Sequence, residues 1–95
     1  MNELEVIDAI RWFMTLPEAR PGLPWDNEFE ERSYIRWTCN ELIRDITDYP
    51  CTSVETIIDM FWLRMLQYFH YAPSEKMRKV FQVAMDTADT IKAMI

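Results

Sequence analysis

Three pairs of carboxylates are spaced so that both members fall on one side of a helix: Glu28 with Glu31, Glu41 with Asp45, and Asp86 with Asp89. Hard divalent cations such as Mg²⁺ are held by oxygen ligands, and two such pairs on facing helices can build a site for one. His70 is the single histidine, so a metal site using it must draw on carboxylates or on Cys39 and Cys51. Asp59 shares its helical side but lies eleven residues away, which is about 16 Å along a helix axis and too far to share an ion. Close to a helix C-terminus, a histidine is well placed against the dipole without any ligand role. Cys51 precedes a helix start, where a thiol pKa can be lowered, but neither a histidine nor a second cysteine is next to it in the sequence.

Glu28-x-x-Glu31 resembles the E-x-x-E pair of small all-α nucleotide pyrophosphohydrolases of the MazG type, which combine it with an E-x-x-D pair. The resemblance implies Mg-dependent nucleotide hydrolysis. It covers four residues and departs at the second pair, whose place is taken by Glu41-x-x-x-Asp45 or by the distant Asp86-x-x-Asp89. The same acids also read as solvated helix surface and capping groups. On that reading no catalytic residue, metal ligand or cofactor is assigned.

The distribution of charge says more about partners. Residues 1–31 hold eight carboxylates against Arg11 and Arg20, a balance of −6 that equals the net charge of the whole chain. Such a front third repels phosphate and anionic lipid and attracts a cationic surface. Lys76, Arg78 and Lys79 are a small basic cluster, poor support for counterion-driven nucleic-acid binding in a chain of this charge. They are expected to face an acidic helix or the front third of a second copy.

These groups must be positioned by helices. A single glycine in 95 residues leaves little for hairpins or Gly-rich phosphate loops. Two cysteines are too few for a disulfide framework, which points to a reducing cytoplasm. Neither a signal peptide nor a run of 18 apolar residues is found, so no membrane association is expected. The chain is long enough for one domain, residues 1–95. Asn2 with Glu3 and Glu5 is a capped start, and Val6, Ile7, Ile10, Phe13 and Met14 recur at helical spacing over about residues 3–16. Pro17, Pro21, Gly22 and Pro24 form a Pro-rich connection to a second helix at about 27–49, with Asn27 and Glu30 in a capping-box relation.

That helix carries the stripe Ile35, Thr38, Cys39, Leu42, Ile46, Tyr49, and outer pairs Glu28 with Arg32 and Arg44 with Asp48. Thr52 with Glu55 caps a third helix, about 53–71, so apolar that neighbours are expected on most of its sides. Ser74 opens a fourth, about 74–94, with Met77, Val80, Phe81, Ala84, Ala88, Ile91 and Ile95 on one face and a charged or Thr-rich face opposite. The expected fold is all-α, a compact bundle of four helices.

Tryptophans remain to be placed. Trp62 continues the core stripe of the third helix, and Trp12, off the main stripe of the first, would give that helix a second packing side. Trp25 after Pro24 reads as a staple at a helix mouth. Trp37 sits among Ser33, Asn40, Glu41 and Arg44, either as a cover on another helix or as an exposed interface anchor. The reading that follows is a non-enzymatic, acidic, cytoplasmic binding module. Trp25, Asp26, Glu28, Glu30, Glu31 and Trp37 would dock on a basic surface of a protein partner, as an inhibitor or adaptor. A nucleic-acid-handling partner and a phage or mobile-element origin suit carboxylates that stand in for phosphates. The alternatives are the Mg-dependent hydrolase and a structural protein that self-assembles, as a homodimer or larger, through the first or third helix.

Overall fold

In the computed structural model, residues 2–15 and 28–95 are described, with the side chains of α2 from residue 32 onward. Four helices account for nearly all of them: α1 (Glu3–Thr15), α2 (Glu28–Asp48), α3 (Val54–His70) and α4 (Glu75–Met94). The all-α bundle expected from periodicity is therefore present, with each boundary within a residue or so of expectation. The Pro-rich connection, Trp25 and the Asn27–Glu30 box lie outside the described residues.

Helix starts follow local chemistry. The Glu5 N–H donates to Asn2 Oδ1 at 2.9 Å while Asn2 Nδ2 donates back to Glu5 Oε1 at 3.3 Å, a reciprocal cap. At α3 the cap is Ser53 rather than Thr52: Ser53 is extended and its Oγ accepts from the Thr56 N–H. Thr52 instead donates its backbone N–H to the Tyr49 carbonyl in the turn after α2. Ser74 caps α4 as expected, accepting from the Met77 N–H.

The cleft lining at one end fixes the topology, because Asn2, Glu3 and Val6 of the α1 start meet Pro50–Glu55 and Ile95 there. Asp59 of α3 meets Lys92 of α4, and Tyr68 meets Phe81, so α3 and α4 run antiparallel. Up-down-up-down order follows. One end, called lower here, gathers the α1 start, the α2–α3 turn and the α4 end; the upper end gathers the α2 start and the α3–α4 turn.

The core is a single cluster drawn from every helix: Val6, Ile10 and Phe13; Ile35, Cys39, Leu42 and Ile46; Ile57, Ile58, Phe61 and Met65; Val83, Ala84, Met85, Ala88 and Ile91. Small residues at 84 and 88 let α3 and α2 approach α4 closely. Several expectations are corrected by this packing. It is α2, not α3, that packs substantially against all three other helices. The outer side of α3 leaves Met60 and Leu63 exposed, followed by Tyr71 just past its end. Trp12 is 60 % exposed, and among the described residues α1 packs chiefly on α2, so the second packing side expected at Trp12 is not seen there. Tyr49 leaves the α2 stripe for solvent, because the helix has already ended at Asp48. The face opposite the α4 stripe was expected to be charged or Thr-rich, but Thr87 is buried in the core, with no partner for its hydroxyl.

Candidate functional site

The acids that looked alike in sequence have different surroundings in the fold. Glu41 accepts from Arg44 at 2.6 Å, so Arg44 pairs three residues back and not forward with Asp48. Asp45 accepts from Arg64 of α3 at 3.2 Å, and Asp86 accepts from Gln82 at 2.9 Å. Of the four paired carboxylates whose side chains are described, Glu41, Asp45 and Asp86 are thus held by side chains of the protein itself. Glu28 and Glu31 lie two turns and one turn before Ile35, on the helical side that is buried further along α2, whereas Glu30 lies seven residues before Trp37 on the exposed side. The backbone register therefore divides this trio. Among the described residues no three of His, Cys, Asp and Glu gather as a set that would hold a metal ion.

Trp37 is 41 % exposed, so its indole is partly open to solvent and partly covered. Its outer strip of α2 runs from Ser33 past Asn40 and the Glu41–Arg44 pair to Asp48, polar throughout apart from the indole itself. Trp62 by contrast is packed half-buried against the core with its Nε1 unpaired. Cys39 is fully buried, and burial pushes its thiol up from an ordinary 9.0 to about 12. Cys51 is exposed in the lower cleft, a recess of ≈ 410 Å³ also lined by Glu3 and Glu55. His70 is exposed at the last position of α3, its ring edge-on to Phe69.

Charge is where the fold most alters the sequence picture. Up-down-up-down order folds the acidic N-terminal part of α2 next to the basic start of α4, both at the upper end. In the upper halves of the four helices Arg11, Arg32, Arg36, Arg64, Lys76, Arg78 and Lys79 stand against Glu28, Glu30, Glu31 and Glu75, a balance of +3. The lower halves carry Glu3, Glu5, Asp8, Glu41, Asp45, Asp48, Glu55, Asp59, Asp86 and Asp89 against only Arg44 and Lys92, a balance of −8. An acidic front third in sequence has become an acidic lower half in space. The signal was available in the sequence once helix direction alternates: the carboxylates of α1 and α3 sit early in those helices, and the late halves of α2 and α4 carry Glu41, Asp45, Asp48, Asp86 and Asp89 against only Arg44 and Lys92.

Among the described residues no helix is long and apolar enough to cross a membrane. No family model, curated protein or solved structure matches the chain.

Proposed function

We propose that this protein is a non-enzymatic binding module that docks on a basic surface of a protein partner, as an inhibitor or adaptor. The observation that carries the reading is the partly exposed indole of Trp37 on the outer strip of α2, at the border of the strongly acidic lower half. Tryptophan is enriched among the few residues that dominate interface affinity, and flanking carboxylates steer a cationic partner and select against anionic ones. Glu30 above the indole and Asp48 below it share its helical side. The proposed surface is the side of α2 that carries Glu30, Trp37 and Asp48, with Trp25, Asp26, Glu28 and Glu31 next to its upper end in sequence.

The test is affinity capture from native host extract at low and at moderate salt, with mass spectrometry of retained proteins, run in parallel for wild type, Trp37→Ala and Glu30→Lys. A basic protein held by wild type at low salt and lost by both variants supports the reading. Capture that is equal for all three, or that strengthens with salt, counts against it.

A further inference from the structure

We draw no further inference here: the strongest candidate, the lower cleft of ≈ 410 Å³ where the exposed Cys51 lies with Glu3 and Glu55 at the starts of α1 and α3, carries nothing, because nothing among the described residues shows what fills it.

Discussion

The guanidinium of Arg64 reaches from α3 to Asp45 of α2 at 3.2 Å while its carbon lies 5.3 Å from the centre of the Phe61 ring. One side chain thus spans the mouth of the groove of ≈ 320 Å³ between these helices, over a floor that includes Ile57 and Phe61. Both charged partners retain solvent contact, so screening limits the pair to about 0.2–1 kcal/mol, with the ring contact adding about as much again. Arg64→Ala is expected to destabilise by about 1 kcal/mol in urea unfolding. The coupling to Asp45→Asn in a double-mutant cycle should fall as salt is raised.

Ser53 and not Thr52 satisfies the first turn of α3. Ser53→Ala should cost about 1 kcal/mol, Ser74→Ala a similar amount, and the pair should add. Thr52→Ala should cost clearly less. Equal losses at 52 and 53 in chemical denaturation would move the cap back to Thr52.

Thr87 is buried with an unpaired hydroxyl. Its near-isosteric replacement by valine removes a desolvated polar group without opening a cavity, and should stabilise the fold by about 1 kcal/mol. A lower melting temperature for Thr87→Val would mean that the hydroxyl has a partner.

Cys39 and Cys51 should behave as opposites toward a thiol reagent at neutral pH, with Cys51 labelled in the native protein and Cys39 only on unfolding. Burial holds the folded Cys39 thiol at about 12 against 9.0 ordinarily. The unfolded chain therefore loses this proton first as pH rises. The contribution of the neutral thiol is complete below about pH 9 and is lost progressively between about pH 9 and 12, at no more than about 1.4 kcal/mol per pH unit. Cys39→Ala should be less stable at neutral pH, yet should lack that part of the alkaline decline.

If the binding reading holds, millimolar Mg²⁺ should leave the melting temperature unchanged and nucleoside triphosphates should not be consumed. A magnesium-dependent rise together with pyrophosphate release would favour the hydrolase alternative.

Helix number, type and most of the core were legible because apolar residues recur at 3.6-residue spacing and the starts at Asn2 and Ser74 carry capping side chains. The burial of Thr87 was not legible, because its β-branched, half-polar side chain gives no periodic signal by itself. Its burial follows from how tightly α4 is enclosed. The enclosure of α3 was overestimated for a related reason: an apolar composition does not show whether residues such as Met60 and Leu63 have a neighbour. For the candidate surface, the partial exposure of Trp37 could be inferred from its polar turn neighbours. The location of the charge could not be read along the chain, because it depends on alternating helix direction, which brings Lys76 and Glu30 to one end and Glu3, Asp48 and Glu55 to the other.

Most of what α1 buries rests on Val6, Ile10 and Phe13, laid chiefly along α2, whereas α2 and α4 are enclosed from several directions. In amide hydrogen exchange that asymmetry becomes a ladder of lifetimes. The amides of α1 should open in sub-global events well before those of α4 around Ala84 and Ala88. Each such event uncovers the underlying surface of α2 and leaves the other three helices assembled.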